Sequence, residues 1–159
     1  MLKSLRASLL LLLLLAPLLA PVAGCKEIRK FMPPTTIDNP AEGTREWLVY
    51  KTIEASQLKD DKAAWEKLRP LLHSDVIGNT ASENSFRTMN FPALRRKVKS
   101  FTPDDAKPTY LLAYAEEDAG ASDLEFRLFV VNETSDMPSP FRIRRDPAAN
   151  DDWRVANIP

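Results

Sequence analysis

One histidine and one nearby carboxylate are the side chains of this 159-residue chain that best suit acid–base chemistry. His73 lies two positions before Asp75, and a neutral imidazole paired with a carboxylate can act as a general base. We favour the alternative, in which His73 ends a helix, where a partial positive charge is favourable, and faces water. With one cysteine and no second histidine, the chain lacks the usual ligands for zinc, so we predict neither a metal nor a cofactor.

Two tyrosines are candidates for ligand binding. Tyr110 and Tyr114 are predicted to share one strand face with Leu112, because they recur at a period of two residues. Aromatic residues in this pattern usually belong to a core, which is the interpretation we favour. The alternative is that both rings line a pocket.

A dense basic stretch runs through Arg95, Arg96 and Lys97 to Lys99. We favour its interpretation as a solvated helix face whose charges pair with the many acidic residues. The alternative is contact with the phosphates of lipid or lipopolysaccharide, or with an acidic partner.

The charge balance of the whole chain argues against nucleic-acid binding. Lys and Arg number 22, Asp and Glu number 22, and the formal net charge is zero. Residues 1–24 contain two of the basic residues and no acidic one, so the remainder is slightly acidic. Such a chain has no global field that would attract nucleic acid.

The first 24 residues have the pattern of an export signal. Lys3 and Arg6 precede an apolar run from Leu9 to Leu19, and small residues follow. Pro17 and Pro21 would each break a membrane-spanning helix through this segment. The segment is therefore predicted to be cleaved rather than to span the bilayer.

The sequence Val22-Ala23-Gly24-Cys25 resembles the lipobox of bacterial lipoproteins. The resemblance implies that residues 1–24 are a lipoprotein signal peptide and that the Cys25 thiol carries a diacylglyceryl group. We therefore predict an envelope protein anchored to a membrane through lipid on Cys25. Lys26 stands where an aspartate would resemble the inner-membrane retention signal, so the resemblance favours the outer membrane, facing the periplasm or the cell surface.

Residues 25–43 are predicted to be the lipidated cysteine and a flexible tether, because residues 26–43 include three prolines and no sustained apolar period. The alternative is that Ile28, Phe31 and Met32 dock onto the domain. Residues 44–159 are then long enough for a single domain with one core.

Capping residues and apolar spacing predict two helices at the start of this domain. Thr44 is typical of an N-cap and predicts a helix over about 45–58. Asp60-Asp61 predicts the start of a second helix, which Pro70 should bend or shorten.

The next forty residues have a mixed pattern. Residues 73–82 are interpreted as a loop or a short strand. Residues 83–101 are compatible with helix, interrupted at Asn90 and Pro92. After Lys107-Pro108, alternating apolar residues predict four strands, at 109–116, 123–133, 140–145 and 152–158. Helices followed by an antiparallel meander predict an α+β domain, with N-terminal helices packed on a curved antiparallel sheet of about four main strands.

This element order over residues 44–158 resembles the nuclear transport factor 2-like, or SnoaL-like, cone fold. A cystatin-like sheet folded on one helix is the alternative. The cone fold has a first small hairpin that would fall around residues 75–82, and the sequence there does not clearly predict one. In SnoaL-like enzymes a His and an Asp inside the cone act on small ketones or epoxides, a role that the resemblance would assign to His73 and Asp75. The superfamily also contains ligand-binding modules and assembly partners. We expect a non-catalytic module that binds a ligand or an envelope protein; the SnoaL-like enzyme is the alternative, and the oligomeric state is open.

Overall fold

The structure is a computed structural model that describes residues 32–118 and 125–159. A short strand is followed by helices and then by antiparallel strands, so the predicted α+β class is confirmed. The α-helices are α1 (Arg45–Gln57), α2 (Asp61–Leu68), α3 (Ser74–Ile77), α4 (Thr80–Ser85) and α5 (Phe91–Lys97). The strands are β1 (Thr35–Ile37), β2 (Tyr110–Asp118), β3 (Glu125–Val130), β4 (Ser139–Asp146) and β5 (Asp152–Asn157).

The five strands form one antiparallel sheet in the order β1-β2-β3-β4-β5. Strands β2 to β5 correspond to the four predicted from the sequence. The connection between β2 and β3, residues 119–124, lies outside the described residues. Because consecutive strands are neighbours, the sheet is a simple meander with β1 and β5 at its edges.

Strand β1 is additional to the four predicted strands. It lies within the segment that was predicted to be a flexible tether, and over residues 35–37 that prediction is wrong. Thr35, Thr36 and Ile37 are β-branched, a type that favours extended backbone, and they pair with the start of β2. Ile37 also packs against the core. Met32, which was considered as a docking residue, is 61% exposed, and Ile28 and Phe31 lie outside the described residues.

Helix α1 begins where its capping residue predicts. The Thr44 hydroxyl accepts a hydrogen bond from the backbone N–H of Trp47 at 3.2 Å, which satisfies one of the free donors of the first turn. Further along, the buried hydroxyls of Thr52 and Ser56 donate to backbone carbonyls one turn earlier, at 2.7 Å each. Burying these polar side chains therefore leaves neither hydroxyl without a partner. Helix α2 is capped in the same way by Asp60.

The segment from residue 73 to residue 101 is more helical than predicted. Residues 73–82 contain α3 and α4 rather than a loop or strand, because the side chains of His73 and Asn79 cap the two helices. The chain also does not break at Asn90. A π-helical turn, Phe86–Asn90, precedes α5, and its wider backbone accommodates the ring of Pro92 in the first turn of that helix.

The hydrophobic core lies between the helices and one face of the sheet. The largest fully buried side chains of the described residues come from α1, α2, α5, the turns that follow α2 and α5, and the strands: Tyr110, Phe101, Phe141, Leu48, Ile53, Leu68, Leu72, Leu94, Leu128, Ile143, Val49 and Val130. The core therefore fastens the helices to the inner face of the sheet. No helix among the described residues is both long enough and apolar enough to cross a membrane.

Tyr110 is the largest of these buried side chains, and its hydroxyl donates to the carbonyl of Glu46 in the first turn of α1, at 3.1 Å. Burial, aided by the Glu46 carboxylate, raises the pKa of this hydroxyl far above its usual value. Tyr110 therefore stays a neutral hydrogen-bond donor at neutral pH and well above it. One side chain thus joins β2 to α1.

We expect Tyr110→Phe to lower the free energy of unfolding by about 1 kcal/mol, because the variant loses this hydrogen bond and leaves the core volume unchanged. Urea unfolding followed by circular dichroism measures the change. Tyr50→Phe is the matched control, since no hydrogen bond to the Tyr50 hydroxyl is found among the described residues. Equal midpoints for wild type and both variants would show that the Tyr110 bond adds no stability.

Candidate functional site

His73, the first catalytic candidate, is buried, with 3% of its surface exposed, so the prediction that it faces water is wrong. It does not end the second helix but caps α3: Nδ1 accepts the backbone N–H of Asp75 at 3.1 Å. An unprotonated Nδ1 leaves the proton on Nε2, which lies 3.0 Å from the carbonyl oxygen of Arg145 and donates to it. Both ring nitrogens are therefore used by the backbone, and neither is left for a substrate.

Asp75, the second candidate, forms no hydrogen bond from its carboxylate to the imidazole among the described residues. Its carboxylate is 69% exposed and forms an ion pair with the guanidinium of Arg144. Its nearer oxygen lies 3.7 Å from Nδ1 of His73. Arg144 also lies against the imidazole, with guanidinium nitrogens 3.3 Å from each ring nitrogen. The pair therefore does not form a histidine–carboxylate dyad in an enclosed pocket.

The buried carboxylate of this region is Asp146, at the end of β4. It accepts the backbone N–H and the hydroxyl of Ser74, at 2.8 and 2.7 Å, and the backbone N–H of Ala148 at 3.0 Å. Burial alone would raise the pKa of Asp146, but the hydrogen bonds from Ser74 and Ala148 stabilise the charged form, and the pKa falls below its usual value. Asp146 is thus held ionised by Ser74, which lies 72 residues earlier in the chain, and by its near neighbour Ala148.

Backbone contacts complete this junction. The N–H of His73 donates to the carbonyl of Val155 at 2.9 Å, and Leu72 forms a parallel bridge with the same residue of β5. Residues 72–75 are therefore tied to both β4 and β5. The His73–Asp75 region joins the helices to the sheet, which is a structural role.

The two tyrosine candidates lie on opposite faces of the sheet, so the prediction that they share a face is wrong. A register shift between Leu112 and Tyr114 places Leu112 opposite Val130 but Tyr114 opposite Phe129. Val130 is fully buried, so Leu112 and Tyr110 belong to the core face. Tyr114 instead stacks on Phe129, with ring centroids 4.3 Å apart. A β-bulge, which adds one residue to one strand, causes the change of face.

The basic stretch borders a groove of about 740 Å³ between the α1–α2 corner and the π-helical turn with α5. The floor of the groove includes Trp65 and Phe91, whose ring centroids are 5.9 Å apart. Its basic residues are Lys59, Lys62, Arg87, Arg95, Arg96 and Lys99, and its acidic residues are Asp61 and Asp105. The groove is thus apolar at its base and cationic at its rim.

Arg95 forms a wall of this groove, and its donors are already occupied. Its guanidinium donates to the carbonyls of Ser56 at 3.4 Å, of Lys59 at 3.2 Å and of Leu58, and it pairs with Asp61. These carbonyls stand at the C-terminal end of α1, where a cation offsets the partial negative charge of the helix. Arg95 therefore holds α5 against the α1–α2 corner.

The other residues of the basic stretch differ in their surroundings. Arg96 is exposed, lines the groove and has no ion pair among the described residues. Lys99 lines the groove and pairs with Asp105 at 2.9 Å. Lys97 is exposed and does not line the groove. The preferred interpretation, a solvated face with paired charges, therefore fits Lys99 but not Arg96.

Sequence reasoning missed three cations of the groove, Lys59, Lys62 and Arg87. They lie outside the dense basic stretch, in the α1–α2 loop, at the start of α2 and in the π-helical turn. No local pattern links them, because only the packing of α2 beside α5 brings them together. Arg87 is placed over the indole of Trp65, with its guanidinium carbon 5.7 Å from the ring centroid.

Cys25 lies outside the described residues. Within residues 32–118 and 125–159, no three His, Cys, Asp or Glu side chains are grouped so that they could hold a metal ion. Comparison of the chain with protein-family models, with curated proteins and with solved structures gives no match. The functional argument therefore depends on the residues themselves.

We expect Arg95→Ala to lower the free energy of unfolding by about 2 kcal/mol, because it removes charge-assisted hydrogen bonds to three backbone carbonyls. The neighbouring Arg96→Ala should change it by less than about 0.5 kcal/mol, since Arg96 is exposed. Urea unfolding of both variants measures the difference. A similar loss in both would contradict the structural role of Arg95.

The lowered pKa of Asp146 predicts a pH-dependent contribution to stability. The contribution is fully present above the pKa of an unfolded aspartate, about 3.9, and is lost as the pH falls through the lower pKa of the folded state. At pH 7 Asp146→Asn should be less stable than wild type by about 1–3 kcal/mol, because it loses the charge-assisted bonds from Ser74 and Ala148. The difference in free energy of unfolding between wild type and Asp146→Asn should become smaller below about pH 4.

Urea midpoints measured from pH 7 down to about pH 2.5 test this expectation. Asp136→Asn, a change at an exposed residue that no described hydrogen bond or ion pair involves, is the control and should follow the wild type. A gap between Asp146→Asn and wild type that stays constant over the whole range would contradict it.

Proposed function

We propose that this chain is the precursor of a lipid-anchored protein of the bacterial cell envelope. The observation that carries the proposal is the sequence Val22-Ala23-Gly24-Cys25 at the end of an apolar run. Lipid on Cys25 would attach the protein to a membrane, since two or more acyl chains hold far more firmly than one. Lys26 after the cysteine favours the outer membrane.

We propose further that the domain is a non-catalytic binding module. Two features of the described residues support this. The one histidine of the chain uses both ring nitrogens on backbone groups, which leaves the SnoaL-like interpretation of His73 and Asp75 without a general base. A concave surface away from His73 is the groove beside α5, whose apolar base and cationic rim are suited to holding a ligand.

For the finer fold we propose the cystatin-like alternative, with the helices laid on one face of an antiparallel sheet. The cone fold would require a small hairpin around residues 75–82, and residues 74–77 and 80–85 are helical instead. The fold does not decide the function, because related scaffolds serve both enzymes and binding modules.

Metabolic labelling with palmitate in a bacterial host tests the anchor. We expect the wild-type chain to incorporate label, to fractionate with membranes and to lose residues 1–24. Cys25→Ser, which lacks the acceptor thiol, should incorporate no label and keep those residues. Lys26→Ala is the matched control beside the cysteine and should be labelled like the wild type.

Mass spectrometry of the N-terminal peptide adds an independent reading, since it should find an acylated Cys25 as the first residue. An unlabelled wild-type chain that remains full length in the membrane would contradict the proposal and indicate a signal anchor instead.

A further inference from the structure

The groove beside α5 has more positive charge than its own acidic residues can balance. Of its six basic residues, Arg95 pairs with Asp61 and Lys99 pairs with Asp105. Lys62 reaches Glu66 at 3.9 Å, a long and highly exposed pair. No ion pair of Lys59, Arg87 or Arg96 is found among the described residues. Because the chain as a whole is neutral, this surplus is a local property of the groove.

Arg95 offsets the negative charge of protein groups that would otherwise repel an anion from the groove. The C-terminal end of α1 presents its last carbonyl oxygens toward this groove, and such oxygens repel negative charge. The guanidinium of Arg95 covers three of them and also neutralises Asp61. The remaining cations at the rim can therefore act on a ligand rather than on the protein.

The floor of the groove adds an apolar requirement. The rings of Trp65 and Phe91 lie at its base with 5% and 3% of their surfaces exposed, and the half-buried Pro92 and Leu58 extend the apolar surface. Arg87 over the indole brings a cation directly beside this surface. A ligand that fills the groove should combine a negative group with an apolar part.

We propose that the groove binds the phosphate-bearing head of an amphiphile. Arginine and lysine are the usual ligands of phosphate oxygens, with Arg87, Arg96 and Lys59 placed to contact them and the Trp65–Phe91 floor to contact the apolar part. This inference rests on the proposed lipid anchor for the source of its ligand, because an anchored domain meets membrane headgroups at high local concentration. The source is then a lipid headgroup, and the alternative source is a free phosphate compound.

Isothermal titration calorimetry on the full chain in a nonionic detergent tests the proposal. The probes are dihexanoyl phosphatidic acid, dihexanoyl phosphatidylcholine, inorganic phosphate and a short polyglutamate peptide. We expect the phosphatidic acid to bind more tightly than phosphatidylcholine, and its affinity to fall with added salt because part of the attraction is electrostatic. Binding of inorganic phosphate with equal affinity would support recognition of the phosphate, assign the source to a free compound and contradict a contribution from the apolar floor.

Charge reversal on α5 supplies a matched pair of variants. Arg96→Glu should weaken binding of phosphatidic acid by about tenfold or more, equivalent to about 1.4 kcal/mol. Lys97→Glu makes the same charge change at the next residue, outside the groove, and should leave the affinity within about twofold of wild type. Arg96→Gln, with unfolding midpoints measured for all three variants, separates loss of binding from loss of folding.

Three results would overturn the proposal: no binding of any phosphate probe, equal weakening by Arg96→Glu and Lys97→Glu, or binding of polyglutamate alone. The last would indicate an acidic protein partner instead. These outcomes are separate from the palmitate test, since the calorimetry does not depend on lipid at Cys25. Labelling of Cys25 without binding of a phosphate probe would support the anchor and contradict the groove proposal. Phosphate binding without labelling would support the groove proposal and contradict the anchor.

Discussion

The arrangement of helices and sheet depends most on the hydrogen bonds that the buried carboxylate of Asp146 accepts from Ser74 and Ala148. A carboxylate out of water costs several kcal/mol unless donors surround it, and here two of the three donors belong to Ser74 on another element. The end of β4 and the start of α3 must therefore come together for this carboxylate to be buried at low cost. Once they do, the imidazole of His73 faces the carbonyl of Arg145, and a residue suited to acid–base chemistry becomes a cap and a hydrogen-bond donor.

Arg95 applies the same principle with the opposite charge. Its guanidinium satisfies carbonyls at the end of α1 and pairs with Asp61, so the corner between α1 and α2 is closed by a side chain of α5. The next residue, Arg96, lies about 100° further round the helix and points outward. Two adjacent arginines thus have different roles: one shapes the groove, and the other is available to whatever enters it.

Local signals predicted the elements whose causes are local. Thr44 and Asp60 each accept a hydrogen bond from a backbone N–H three residues later, and both helices begin directly after these residues, as predicted. The alternation of apolar residues also predicted the positions of strands β2 to β5. It did not predict correctly which face of the sheet every side chain occupies. Prediction failed at the β-bulge after Leu112, because one added residue exchanges the two faces of a strand and leaves no mark in the apolar pattern. It failed again at β1, where three residues become a strand only because β2 lies beside them.

The sequence by itself determined the α+β class, the starts of α1 and α2 and the strands of the meander, because each depends on residues within one or two turns. It also contains the Cys25 motif, on which the proposed anchor rests. The tertiary structure alone decided that both nitrogens of His73 are occupied, that Tyr110 and Tyr114 face apart, and that cations from several separate segments surround one groove. Those contacts join residues as many as 72 positions apart, and their geometry follows from where the chain returns after folding.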